Sequence, residues 1–254
     1  MWLDAIKTSK ARDDFYLKWS AWNGLLRKEV LLALRSTVTY LAVGVYVMIY
    51  YLLVYVNILG TGRIAFFELT EAYIVMSLFL NILLAAPVVA REERRGTLQW
   101  LLSTPLKEST IIVTKYTVIA GVYVVSIVLT MPSYLYISRL GNIPILEWIL
   151  HYALIILFGL STLAFGVMCS SAARREITAA LLGLAFALII VFLNGSLSFI
   201  PGGWREVIAF LILLPRVEPF LAGIFDVEIV GYYLIYLVIC LVVSIYLLKR
   251  KRWG

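Results

Sequence analysis

Charge is scarce in this chain. Only 15% of its 254 residues are Asp, Glu, Lys or Arg, while 63% are hydrophobic and the mean hydropathy is +0.96. Soluble domains are about a quarter charged and about half apolar. The composition therefore excludes an ordinary soluble globule and points to an integral membrane protein. Cysteine is also rare. Cys169 and Cys240 lie inside apolar runs, which excludes a disulfide framework and a cysteine-based metal site. A single histidine, His151, excludes metal sites that need two. No Gly-Lys dipeptide occurs, so no phosphate-binding loop of the Gly-x-x-x-x-Gly-Lys-Ser/Thr kind is possible, and the chain brings no nucleotide chemistry of that type. The first 30 residues carry Asp4, Lys7, Lys10, Arg12, Asp13 and Asp14 and no apolar core ahead of a small-residue cleavage site. The expectation is that the first span is its own uncleaved anchor.

What is present is a series of six uncharged runs: Ser36–Gly62, Ala72–Ala90, Tyr116–Ser138, Trp148–Ala173, Ile177–Trp204 and Ile229–Leu248. Their lengths are 27, 19, 23, 26, 28 and 20 residues, and a membrane-crossing helix needs about 20. The reading is all-α, with spans at about 37–59, 72–90, 112–138, 148–172, 177–200 and 229–248. They are preceded by an amphipathic interfacial helix within 1–36 and followed by a basic tail, 249–254. Trp19, Trp22, Leu26, Val30 and Ala33 recur at helical spacing in the first segment, with Lys18, Asn23, Arg27 and Lys28 elsewhere on the wheel. Val207–Pro215 is too short to cross and reads as a re-entrant or interfacial helix before the sixth span.

Orientation follows from Lys and Arg. With the N-terminus in the cytoplasm, 18 of the 22 basic residues fall on the inner side and both termini are cytoplasmic. The positive charge is thus explained by topology, and no nucleic-acid module is present. All seven tryptophans lie at or beyond span ends, as an aromatic belt requires. No span carries an Asp, Glu, Lys or Arg in its middle, which counts against a proton- or sodium-coupled carrier. The midspan polar residues Ser77, Asn81, Ser126, Thr130, Ser161 and Thr162 read as interhelical hydrogen-bonding groups. Pro132 is expected to kink the third span and Pro87 the end of the second. On the fifth run, Ala179, Gly183 and Ala187 form a small-residue stripe suited to close helix approach. Spacing alone leaves open whether the partner is a helix of the same chain or of a second subunit.

The longest charged interruption of the central sequence, Arg91–Lys115, is an elbow between the second and third spans. It runs Glu92-Glu93-Arg94-Arg95-Gly96-Thr97-Leu98, then Leu101-Leu102-Ser103-Thr104-Pro105, then Lys115. This resembles the signature loop of the membrane subunits of type-2 ATP-binding-cassette (ABC) exporters: an acidic-basic cluster, Gly-Thr-Leu, two leucines, a proline, and a lysine entering the third span. Pro215, Pro219-Phe220, Gly223 and Asp226, ahead of the final span, resemble that family's connection before its sixth span. The resemblance covers nearly the whole chain in layout and is motif-specific in these two stretches.

It implies a multi-pass permease of the cell membrane that pairs with a second such subunit, identical or related. Each half would dock a separate cytoplasmic ATPase that carries the ATP and Mg, with no cofactor on this chain. Gly96–Pro105 would supply the coupling helix. Leu98, Leu101 and Leu102 would form an apolar ridge for the ATPase groove, and Glu92, Glu93, Arg94 and Arg95 a polar rim, with Gly96 and Thr97 at the turn. The resemblance tips the stripe Ala179, Gly183 and Ala187 towards the subunit interface. It also makes 202–226, with Val207, Pro215, Pro219 and Gly223, the outer closure of the pathway. The cargo is written in neither motif. Two rivals have weaker support. An ATPase-independent carrier or channel has no midplane charge to work with. An intramembrane protease of the Glu-Glu-x-x-x-Arg type would need Arg where Thr97 stands, and several histidines. A Ser196–His151 dyad lacks the surrounding serine-protease pattern.

Overall fold

A lipid core offers the backbone no hydrogen-bond partners, so a chain this apolar must satisfy its N–H and C=O groups within helices. The computed structural model describes residues 19–20, 22–61, 66–104, 106–133, 145–199 and 227–253, and these contain helices and no strand. In chain order they are α1 (22–35), α2 (Thr37–Thr61), α3 (Phe66–Ala85), α4 (Pro87–Arg94), α5 (Thr97–Leu102), α6 (Glu108–Val128), α7 (Ile145–Ala172), α8 (Glu176–Ser196) and α9 (Val227–Trp253). Six stretches are long and apolar enough to span a bilayer: one each in α2, α6, α7, α8 and α9, and one running from α3 through α4. Val207, Pro215, Pro219 and Gly223, the expected outer closure, lie outside the described residues, as does Pro105.

The fourth span, α7, is the hub. Of its central window 72% is buried, against 22% for the fifth and sixth spans. Small residues let its neighbours close on it. A Cβ added at Gly166 would lie 2.6 Å from that of Ala85 on α3, and one at Gly159 would overlap the Tyr123 ring of α6. Tyr123 then donates its hydroxyl to the Ile155 carbonyl at 2.8 Å. Asn81 of α3 joins the hub to α2: it donates to Thr162 Oγ1 at 2.8 Å and accepts from the Tyr46 hydroxyl. Ser161 of α7 reaches the Tyr233 carbonyl of α9 at 3.1 Å. Ser77 and Ser126 instead bond carbonyls of their own helices, those of Ile74 and Val122. They do not link helices, because each hydroxyl is satisfied one turn back.

Both prolines stand where a helix is interrupted. Pro87 is the first residue of α4. The helix break at Ala86 leaves the first N–H groups of α4 without partners. Ser170 of α7 supplies the cap from another helix: its Oγ accepts from Val89 N at 3.0 Å and Ala90 N at 3.1 Å and donates to the Ala86 carbonyl at 2.7 Å. Pro132 stands in the turn that follows α6. α6 stops at Val128, and residues 129–132 are turns in which Met131 N–H takes the Val128 carbonyl at 3.1 Å. Proline has no N–H with which to continue the ladder.

The stripe on α8 faces inward. Ala179 and Ala187 are fully buried, and a Cβ on Gly183 would overlap Ile82 of α3. The close approach that these small residues permit is made within the chain. Ala179, Gly183 and Ala187 thus pack within this chain. The outward face of α8 is instead Ile177, Leu181, Leu188 and Phe192, each more than half exposed.

Candidate functional site

The elbow begins as the charged end of the second span. α4 stops at a left-handed residue, Gly96, with φ 70° and ψ 2°. It is the single positive-φ residue among those described. Glycine suits this position because a Cβ would crowd the following carbonyl. The Gly96 N–H bonds the Glu93 carbonyl at 3.0 Å, and the Thr97 hydroxyl donates to the Glu92 carbonyl at 3.2 Å. Gly96 and Thr97 thus close the end of α4 and turn the chain into α5, a helix of six residues. Thr104 and Ser103 hydroxyls return to the carbonyls of Leu101 and Trp100 and finish it.

α5 is seated by its leucines. Leu98 and Leu102 are buried against the main core and Leu101 is half-buried beside them. The ridge expected to face a partner is therefore turned inward in the main, because a six-residue amphipathic turn must first hold itself to the bundle. The outward face is Gln99, Trp100 and Ser103, with Trp100 80% exposed. That tryptophan is the residue sequence reasoning passed over in favour of the leucines. Its signal was its place two residues from each of the inward leucines, Leu98 and Leu102, on the opposite side of the wheel.

The charges expected to rim a partner site are tied to other span ends. Glu92 Oε1 lies 2.9 Å from Lys115 Nζ at the start of the third span and 3.4 Å from Lys28 of α1. Lys115, only 3% exposed, also meets Glu29 of α1 at 2.9 Å. Trp22 Nε1 donates to Thr114 Oγ1 at 3.1 Å beside it. Arg91 and Arg94 both pair with Glu176, the first residue of α8, at 3.0 and 2.6 Å. Glu93 pairs with Lys251 of α9, which also donates to the Ala173 carbonyl at 3.0 Å. Arg252 pairs with Glu108 at 2.7 Å. One short segment is thereby attached to α1, α6, α8 and α9 at once.

The two kinds of pair differ in weight. Arg252–Glu108 and Arg94–Glu176 are partly open to water, and such pairs contribute about 0–1 kcal/mol. Lys115 is buried, and removing one member of a buried pair costs about 3–5 kcal/mol because the other is left uncompensated. Arg95 and Arg35 are exposed and have no acidic partner among the described residues. Glu92 Oε2 is a buried acceptor without a hydrogen-bond donor. Arg35, Arg95 and Glu92, though not its enclosed Oε2, line one cavity of about 770 Å³ between α1, α2, α3–α4 and α6.

The model of the ABC-2 family transporter protein matches residues 55–248, which include the elbow, α3 to α8 whole and α9 up to Leu248, but not α1 or most of α2. No curated protein matches the chain at a significant level.

Proposed function

The chain belongs to the ABC-2 transporter family, and from that premise we propose that it is one permease half of an exporter, driven by a separate ATPase docked on the elbow. Membership makes it a membrane-embedded transport component that is not itself catalytic. The finer reading concerns where force enters. The observation that carries it is the elbow's double character: Trp100 stands free at the tip while Glu92, Glu93, Arg91 and Arg94 bind the base to four other helices.

A partner that presses on α5 moves a rigid turn, since Gly96 and Thr97 close α4 onto it. The displacement passes through Lys115 to the third span, Glu176 to the fifth and Lys251 to the sixth. Trp100, Gln99 and Ser103 offer an aromatic anchor with polar neighbours, the composition typical of a docking hot spot. ATP and Mg belong to the partner. Its two nucleotide states bind the elbow differently, and only that difference can shift the spans. A second permease half completes the pathway, both termini and the elbow face the cytoplasm, and the complex sits in the cell membrane. Outward direction and pairing follow from the family resemblance. An ATPase-independent carrier has no specific observation in its favour.

The test is co-purification with the ATPase subunit encoded alongside or co-expressed with the chain. Trp100→Asp is expected to lower recovery of the ATPase at least about tenfold, the effect of losing a hot spot of about 2 kcal/mol. Full recovery of the ATPase with Trp100→Asp, or no associated ATPase for the native chain, would overturn the reading.

A further inference from the structure

The lining of the cavity beside the elbow has two characters. One part is apolar: Leu41, Ala42 and Val45 of α2, Leu80, Leu83 and Leu84 of α3. The other part is charged, with Arg35, Arg95, Arg91, Lys28 and Lys115 against the two acids Glu29 and Glu92. The five cations exceed the two acids by three. Lys28, Lys115 and Arg91 are already occupied by acidic partners. Arg35 and Arg95 are not, among the described residues. At about 770 Å³ the cavity is the size of small-molecule sites, which run about 300–1,000 Å³. It lies where the apolar length of the spans gives way to the charged segments, the depth at which a bilayer changes from acyl chain to headgroup.

We propose that this groove binds one phospholipid of the elbow-side leaflet. An acyl chain lies along Leu41, Val45, Leu80 and Leu84, and Arg35 and Arg95 recognise the phosphate. Guanidinium groups are suited to phosphate because their donors match its oxygens two at a time. Glu92 Oε2 is enclosed by protein atoms, so selection rests on the phosphate and not on the group beyond it. Occupancy would place a lipid against the same Glu92 that holds Lys115 and so against the base of the elbow. The site is independent of whether an ATPase docks on α5.

Native mass spectrometry of the full chain, purified in mild detergent from phosphatidylethanolamine-containing membranes, tests this. One phospholipid is expected to remain bound per chain. The double variant Arg35→Ala, Arg95→Ala should lower retention at least about tenfold, the loss of at least one charge-assisted contact. The control Arg174→Ala, Arg175→Ala removes the same charge from exposed positions outside the cavity and should leave retention unchanged. No retained lipid, unchanged retention in the double variant, or equal loss in the control would overturn the proposal. So would a spontaneous disulfide between protomers carrying Ala42→Cys, which would put a second copy of the chain in the groove.

Discussion

At the scale of residues, a few positions hold the elbow in shape, and their weights are unequal. Gly96 sits at φ 70°, and nothing lies within 4 Å of where a Cβ would be. Space is available, so the cost of a side chain is backbone strain alone. Gly96→Ala is expected to lower stability by about 1 kcal/mol, and Gly96→Asn by clearly less, since asparagine tolerates the left-handed region. Thermal unfolding of the purified chain in detergent measures both; equal midpoints for Ala and Gly would remove Gly96 from the account. The role of Gly96 was legible because glycine after a charged helix end is a local signal. The cap made by Ser170 was not: it joins positions 80 and 81 apart in the chain, and no local pattern carries a pairing that distant. The same is true of Glu29 and Lys115, 86 apart. Lys115 was visible as the lysine entering the third span, but its partner was hidden in the amphipathic first segment. There the wheel drew attention to Trp19 and Leu26 rather than to Leu25, which is 5% exposed, and Glu29.

At the scale of elements, the elbow is a junction more than a loop. Its buried pair Lys115–Glu29/Glu92 carries more than its open pairs. Lys115→Met is expected to destabilise the chain by about 3 kcal/mol, since two carboxylates lose their buried cation, whereas Arg252→Gln is expected to cost less than about 1 kcal/mol. Denaturation midpoints of the two variants, compared with the native chain, decide it; equal effects would mean that burial does not set the weights. The spans themselves were legible, because uncharged length is the strongest signal a membrane chain gives. The helix boundaries within them were less so. The uncharged third run extends to Ser138 in the sequence, while α6 stops at Val128. Uncharged residues continue through a turn as easily as through a helix, so charge alone does not mark the end. The leucines of α5 show the same limit. Amphipathic spacing identified a face but could not say whether that face meets the bundle or a partner.

At the scale of the whole molecule, the arrangement is a hub with an external handle. The six apolar stretches look alike in sequence, and nothing in their composition distinguishes α7 as the enclosed one. Only the overlaps at Gly159 and Gly166 and the bonds from Thr162, Ser161 and Ser170 reveal it. The stripe on α8 was read from spacing that fits any close neighbour, and the neighbour is α3. With that stripe turned inward, the apolar faces left uncovered on α2, α8 and α9 are those available to lipid or to a second permease half. The elbow lies at the same end as Ala172, whereas Ile145 begins α7 at the other. A helix of 28 residues separates those ends by about 42 Å at about 1.5 Å per residue. That distance makes the central claim directly measurable. Single cysteines are introduced as Trp100→Cys on α5 and as Leu146→Cys, exposed at the far end of α7, and the chain is co-expressed with its ATPase and treated with a short bifunctional thiol–amine crosslinker. The account predicts a covalent adduct with the ATPase from position 100 and none from position 146. An adduct from neither position, or equally from both, would contradict it.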